Sequence, residues 1–148
     1  MITMARIKLL MPEQKIFSTE IAVRITDINY GNHVGNDAFV RLIHEARVQW
    51  LSSNNYTELN IEGASLIMAD LAVEYKGESF YGDVLKVEIA VGEISKAGFE
   101  LYYLIHVNRN ANNILIAKAK TGMVCYNYKE KKVRELPENF VEFLGFKN

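Results

Sequence analysis

Cysteine is almost absent from this sequence, because Cys125 is the only one in 148 residues. A single cysteine forms no intrachain disulfide, which favours a reducing compartment, and we expect a cytoplasmic protein. The three histidines, His33, His44 and His106, are scattered, so neither they nor Cys125 give a metal-ligand spacing. We therefore expect no metal site and no cofactor.

Long apolar runs and an excess of one charge are also missing. No run approaches the roughly 18 apolar residues of a membrane-spanning helix, and Arg6, Lys8 and Pro12 interrupt the segment where a signal peptide would begin. The net charge of −1 provides no positive field for a nucleic-acid backbone. Since the chain also lacks repeats and low-complexity linkers, we expect one domain over residues 1–148, with neither nucleic acid nor membrane as a partner.

What the chain does contain is a polar stretch, residues 26–37, composed mostly of Asn, Asp, His and Gly. Short polar side chains that bond their own backbone, together with glycines, favour a shaped loop over a strand or helix. A helix is predicted over residues 36–51, where apolar side chains recur at three- and four-residue spacing: Phe39, Leu42, Ile43, Ala46 and Trp50. Asn36 is the expected N-cap, and backbone amides at such a helix start suit a developing negative charge.

The rest of the sequence predicts an antiparallel sheet. Residues 15–27 form the first expected strand, and apolar alternation places four more after the helix, the first of them with Ile67, Ala69, Leu71, Val73 and Tyr75 on one side. A helical turn is predicted at residues 57–60, a solvated charged run at 129–132, and a short amphipathic helix or packed end after residue 137. The class is α+β, with five antiparallel strands wrapped around one long helix. One helix covers such a sheet poorly, which predicts at least a homodimer.

Four short motifs support this order of elements. The loop reads D-I-N-Y-G-N-H-V-G-N-D-A-F over residues 27–39, E-A-R follows at 45–47, V-E-Y at 73–75, and Y-G-D-V-L at 81–85. Over residues 17–126 the chain resembles the acyl-CoA thioesterases of the 4-hydroxybenzoyl-CoA thioesterase-like group, which have the hotdog fold. The resemblance implies an acyl-CoA substrate and a homodimer or a tetramer of dimers. It also implies that CoA lies along the dimer surface, with the acyl chain in a tunnel beside the helix.

One position departs from the family pattern. The resembling enzymes usually carry D-x-D in the loop, with the second aspartate as the catalytic carboxylate, and Asn29 occupies that position here. An amide takes up no proton at neutral pH. Either another carboxylate has taken over this role, or the activity is weakened or absent. Asn29 itself either orients water or the thioester group, or only caps the loop.

Three carboxylates are candidates for the base. Asp37 lies where the loop enters the helix, and its alternative role is to stabilise the helix dipole and pair with Arg41 four residues later. Asp27, at the end of the first strand, either takes part in the site or braces the turn. Glu45 borders the apolar stripe of the helix, and a pair with Arg41 or with the other subunit is its alternative role.

The remaining candidates act through a ring nitrogen or the backbone. His33 matches the loop histidine of the family, and it either donates to the thioester carbonyl or braces the loop. Gly35 and Asn36 are the expected substrate-binding residues. Backbone amides at Asn36 and the helix start would polarise the carbonyl, and Gly35 allows the loop its shape beside them.

Two functions from different classes follow from these residues. The first is hydrolysis of a fatty or aromatic acyl-CoA thioester to the free acid and CoA. The second is a non-catalytic protein that binds or senses acyl-CoA, which Asn29 supports. A hydratase of the same fold is disfavoured, because those enzymes place Asp and His five residues apart with a proline between them. Here Asp27 and His33 are six apart, with no proline.

Overall fold

The computed structural model describes residues 6–145, so the first five residues of the segment considered as a signal peptide lie outside it. Within these residues no helix is long and apolar enough to cross a membrane. In chain order the strands and helices are β1 (Phe17–Ala22), α1 (Ala38–Ser52), β2 (Ser65–Tyr75), β3 (Val84–Ile94), β4 (Gly98–Arg109), β5 (Asn112–Asn127), β6 (Lys132–Val133) and α2 (Glu138–Phe143).

The long helix α1 has the predicted apolar stripe. All five of the stripe residues are buried: Phe39, Leu42, Ile43, Ala46 and Trp50. The helix begins two residues later than predicted, because Asp37 and not Asn36 occupies the N-cap position, and its side chain makes no capping bond. After Ser52 the Ser53 hydroxyl donates to the Trp50 carbonyl, the kind of local contact that ends a helix.

Two local predictions are wrong. The first strand ends at Ala22, because the Asp27 carboxylate accepts a hydrogen bond from Arg24 N at 2.9 Å and closes a 3-10 turn over Ile25–Asp27. The segment 57–60 is not helical, since Thr57 and Asn60 form an isolated β-bridge instead.

The strands form one antiparallel sheet in the order β1-β3-β4-β5-β2, with β6 paired to β5. The α+β class is confirmed, but the sheet has six strands and not five, because the predicted solvated run ends in β6. Helix α1 packs against β1 and β3. Strand β2 therefore lies at the far edge of the sheet, away from the strands that the helix covers.

A β-bulge divides β2. Its register against β5 shifts between Met68 and Asp70, which leaves Ala69 as the extra residue. The Asp70 carboxylate holds this bulge, because it accepts a hydrogen bond from Gly122 N at 2.9 Å. Beyond the bulge Leu71, Val73 and Tyr75 share one side as predicted, opposite buried β5 residues. Before it the prediction is wrong, since Leu66 and Met68, and not Ile67 and Ala69, lie on that side.

The C-terminal segment forms a helix, the first of its two predicted alternatives. Helix α2 places Phe140 in the core with no exposed surface. The Phe143 ring stacks on Trp50, with ring centroids 5.0 Å apart. These aromatic contacts close the core at the C-terminal end of α1.

Candidate active site

The polar stretch forms a compact loop, residues 27–37, which we call the site loop. Ile28 and Val34 pair as an isolated antiparallel bridge. Asn29 N donates to the His33 carbonyl at 2.9 Å, and Gly35 N donates to the Asp27 carbonyl at 3.0 Å. The backbone of the loop is therefore fixed by its own hydrogen bonds.

The side chains of Asn29 and Asp37 both lie next to Gly35. A Cβ atom added to Gly35 would be 2.7 Å from Asp37 Oδ1 and 3.9 Å from Asn29 Nδ2. The Asn29 Oδ1 atom accepts a hydrogen bond from Gly31 N at 2.9 Å. That bond leaves the NH2 group of Asn29 as the donor on the side of Gly35 and Asp37.

The Asp37 side chain is 84% exposed, and its carboxylate lies 3.7 Å from the Arg41 guanidinium. The ion pair with Arg41, which was the predicted alternative to a catalytic role for Asp37, is therefore present. An exposed pair of this kind contributes about 0.5 kcal/mol or less to stability. The pair leaves one side of the carboxylate open to solvent, so both roles are compatible with the geometry.

His33 lies beside Asn29. Its Nδ1 atom is 3.1 Å from the Val34 carbonyl, so Nδ1 carries the hydrogen and Nε2 is the acceptor in the neutral ring. A Cβ atom added to Gly31 would be 3.2 Å from His33 Nε2 and 3.3 Å from Asn29 Oδ1. The imidazole therefore packs against the turn that carries Asn29.

Several backbone amides at the helix start have no acceptor among residues 6–145. Gly35 N and Ala38 N donate within the loop, whereas Asn36 N and Asp37 N donate to no described atom. Gly35 therefore offers no free amide, and its expected role in substrate binding stays a prediction. The free donors that immediately precede α1, at its positive end, are those of Asn36 and Asp37.

Asp27 and Glu45 are placed differently. Asp27 is 4% exposed, and its carboxylate accepts from Arg24 N, which is the turn-bracing contact. Glu45 is exposed on α1, eight residues after Asp37 and thus about 12 Å along the helix axis. Arg41 pairs with Asp37 instead of with Glu45. The loop therefore brings together Asn29, His33 and Asp37 but not Glu45.

Tyr75 belongs to this site, although its role was not foreseen. Its hydroxyl donates to the Asn36 carbonyl at 2.8 Å, and its ring packs edge-on against Phe39 with centroids 5.6 Å apart. The V-E-Y motif drew attention to Tyr75 only as part of a resemblance. Nothing in local periodicity indicates a contact between residues 39 positions apart.

A second anchor comes from the connection between β2 and β3. Val34 N donates to the Ser79 carbonyl at 2.8 Å, which ties the site loop to this connection. The Asp83 carboxylate accepts from Ser79 Oγ, from Phe80 N at 2.9 Å, and from Arg109 Nη2 at 2.6 Å. We call this set of hydrogen bonds the Asp83 clasp. It holds the segment against which the loop is fastened.

The clasp predicts an acid-dependent loss of stability. Burial by itself raises the pKa of Asp83, but the hydrogen bonds from Arg109, Phe80 N and Ser79 outweigh it and hold that pKa below its ordinary value. The stabilisation is full above the unfolded pKa of about 3.9 and is lost as the pH falls through the lower folded value. Asp83→Asn should lower the melting temperature at pH 7 by about 3–8 °C, a difference that shrinks towards pH 3.

Asp70→Asn is the matched control for this experiment. Its carboxylate also pairs with a cation, Lys120, but its side chain is 59% exposed whereas that of Asp83 is 15% exposed. The control should therefore shift the melting temperature less at pH 7. An equal loss at pH 7 and pH 3 for Asp83→Asn would show that the charge of Asp83 is not responsible.

Gly35 gives a second prediction. A Cβ atom on residue 35 would lie only 2.7 Å from Asp37 Oδ1. Because the Asp37 side chain is exposed and can rotate, we expect the substitution to displace its carboxylate and to leave the backbone in place. Gly35→Val should lower turnover at least about tenfold while the melting temperature changes by only a few degrees. Steady-state kinetics and thermal unfolding measure the two effects. Unchanged turnover would place the reacting groups elsewhere.

Two apolar side chains of β2 are poorly covered. Met68 is 42% exposed and Leu71 37% exposed, although both lie on the face of β2 that continues the buried face of β5.

A depression of about 440 Å³ lies on the opposite face of the sheet, at the bulge. Asp70 and Lys120 are among its lining residues, and it includes no site-loop residue. The described residues contain no group of three His, Cys, Asp or Glu side chains that could hold a metal ion.

Comparison with known proteins agrees with this architecture. The model of the thioesterase-like superfamily matches residues 23–144. The acyl-CoA thioester hydrolase of Escherichia coli is 24% identical over 128 residues, which cover 85% of this chain and 93% of that protein. The crystal structure of a 1,4-dihydroxy-2-naphthoyl-CoA thioesterase from Synechocystis is 26% identical, with a TM-score of 0.78 over 87% of this chain and 95% of that one.

A more distant structure supports the fold alone. The 4-hydroxybenzoyl-CoA thioesterase from Pseudomonas is 13% identical, with a TM-score of 0.75 over 88% of this chain and 99% of that one. These similarities confirm the predicted hotdog fold and the predicted family. With its site loop, long helix and antiparallel sheet, the chain belongs to the thioesterase-like superfamily.

Proposed function

We propose that this chain is a single-domain acyl-CoA thioester hydrolase that acts as a homodimer. The observation that carries the proposal is the site loop, which places the Asp37 carboxylate beside Asn29 and next to two free amides. Family membership and the names of the relatives support the same reaction class. The substrate is an acyl-CoA with a fatty or aromatic acyl group.

In the proposed reaction, water attacks the thioester carbonyl carbon. The Asp37 carboxylate takes a proton from the water, while the NH2 group of Asn29 orients the water or the thioester group. Asn29 itself takes no proton, and we propose that it stands where the related enzymes carry their catalytic aspartate.

The carbonyl oxygen becomes negative as the water oxygen bonds to carbon. The free amides of Asn36 and Asp37 donate to it at the positive end of α1. The intermediate then collapses, the carbon–sulfur bond breaks, and Asp37 returns its proton to the departing CoA thiolate. The products are the free acid and CoA, and the reaction consumes only water.

The edge strand β2 supports the proposed homodimer. It is eleven residues long, pairs with β5 on one side, and carries Met68 and Leu71 partly exposed. Sheet edges that carry exposed apolar side chains tend to pair with a second chain. Since Tyr75 at the end of β2 touches Asn36, the dimer interface would lie beside the site loop. A tetramer of dimers and a cytoplasmic location remain predictions.

The alternative is a non-catalytic protein that binds or senses acyl-CoA, and Asn29 is the observation that favours it. A panel of acyl-CoAs, from short to long aliphatic and including aromatic acyl groups, separates the two functions. The assay measures free thiol release together with equilibrium binding. Release above the uncatalysed rate supports the hydrolase, whereas tight binding without release supports the alternative.

A further inference from the structure

The hydroxyl of Tyr75 makes one contact with the site, and it is with the backbone. Tyr75 is the last residue of β2, and its Oη atom donates to the carbonyl oxygen of Asn36 at 2.8 Å. The ring is held by an edge-on contact with Phe39 in the first turn of α1. The strand therefore reaches the peptide that joins the site loop to the helix.

The bonded carbonyl belongs to the same peptide group as a free donor. The peptide bond between Asn36 and Asp37 is planar and trans, so its C=O and N–H point in opposite directions. Asp37 N has no acceptor within the described part of the chain. A hydrogen bond that fixes the Asn36 carbonyl therefore also fixes the direction of the Asp37 N–H.

We propose that Tyr75 is a positioning residue for thioester hydrolysis. Its hydroxyl holds the peptide between Asn36 and Asp37 so that the Asp37 N–H faces the oxygen that becomes negative. This inference rests on the proposed function, because it assigns that amide to the thioester carbonyl. Tyr75 touches neither the water nor the thioester in this assignment.

The environment keeps the Tyr75 hydroxyl a donor. Burial raises the pKa of Tyr75, and the negative charge of Asp37 raises it further. The hydroxyl therefore stays protonated at neutral pH and keeps its hydrogen bond. The hydroxyl also lies next to the proposed base in the chain, because the carbonyl that it binds belongs to the residue before Asp37.

Tyr75→Phe removes this hydroxyl and nothing else. Removing an oxyanion donor lowers kcat by about 10²–10³. The Tyr75→Phe variant keeps the Asp37 N–H but lets its peptide group rotate, so its effect should be smaller. We therefore expect kcat to fall by about tenfold. KM should change by less than about twofold, because a ground-state carbonyl gains little from this amide.

Tyr56→Phe is the matched control. The Tyr56 hydroxyl also donates to an oxygen, Glu62 Oε1 at 2.9 Å, but it follows the C-terminal end of α1, about 22 Å from the helix start. This variant should lose a hydrogen bond of the same kind and keep its kcat. Comparable melting temperatures for the two variants would show that stability does not explain the kinetic difference.

The experiment measures kcat, KM and melting temperature for wild type and both variants, together with the backbone order parameter of the Asp37 amide from NMR relaxation. A lower kcat with a nearly constant KM, and a lower order parameter at Asp37 only in Tyr75→Phe, supports the inference. Unchanged kcat, or a loss confined to KM, overturns it. If wild type hydrolyses no acyl-CoA, the proposed function fails by itself, and the assignment of Tyr75 to hydrolysis is overturned with it. The order parameter then shows whether the hydroxyl orders the peptide at all.

Discussion

Asp37→Asn should lower kcat for thiol release by about 10² or more, the usual contribution of a positioned general base. The substitution removes the charge and keeps the shape, so the site loop stays intact. Its cost in stability should be small, because the carboxylate is 84% exposed and its ion pair with Arg41 is weak. Loss of the first-turn charge costs about 0.3–1 kcal/mol.

Arg41→Gln is the control for the alternative role of Asp37. It breaks the same ion pair but leaves the carboxylate in place. If Asp37 only supports the helix and the pair, the two variants should behave alike. If Asp37 is the base, Arg41→Gln should keep kcat within a few fold of wild type.

A double variant tests whether a carboxylate at residue 29 can replace the one at residue 37. Asn29→Asp in the Asp37→Asn background places an acid where we propose that the related enzymes carry their catalytic aspartate, next to Gly35. Part of the activity should return, because the two carboxylates would face the same space. Full activity in Asp37→Asn with none in Asp27→Asn or Glu45→Gln would move the base to one of those residues. If none of the three matters, the binding protein becomes the better assignment.

Placing lysine at both Met68 and Leu71 should convert the proposed dimer into a 16.9 kDa monomer and remove activity with it. Both side chains are partly exposed on the helix side of β2, the strand proposed to pair with a second chain. Burying an unpaired charge costs at least about 3 kcal/mol, which weakens association by about a hundredfold for each lysine. Charged residues on an edge strand also oppose pairing directly.

Light scattering at micromolar concentration measures the mass, and thiol release is assayed on the same samples. Leu59→Lys is the control, because Leu59 is an apolar residue 72% exposed outside the strands. It should leave both mass and activity unchanged. A wild-type chain that is already monomeric would contradict the homodimer, and a fully active monomeric variant would show that the site needs no second subunit.

The sequence by itself determined the elements whose pattern is local. The spacing of Phe39, Leu42 and Trp50 follows the helical repeat, and these side chains are buried. The strands after the helix follow a two-residue repeat, and the polar composition of residues 26–37 predicts a loop. The boundaries were less accurate, because Asp27 bonds the backbone of Arg24 and ends the first strand early.

Only the tertiary structure decided how distant segments meet. Pairing β2 with β5 instead of β3 makes β2 an edge, and the bulge at Ala69 reverses which of its side chains face the helix. The hydrogen bond from Tyr75 to Asn36 spans 39 residues, and that from Arg109 to Asp83 spans 26. Periodicity and capping describe neighbours along the chain. They carry no information on which strands share a ladder or which side chain reaches which peptide, and it is those contacts that shape the site.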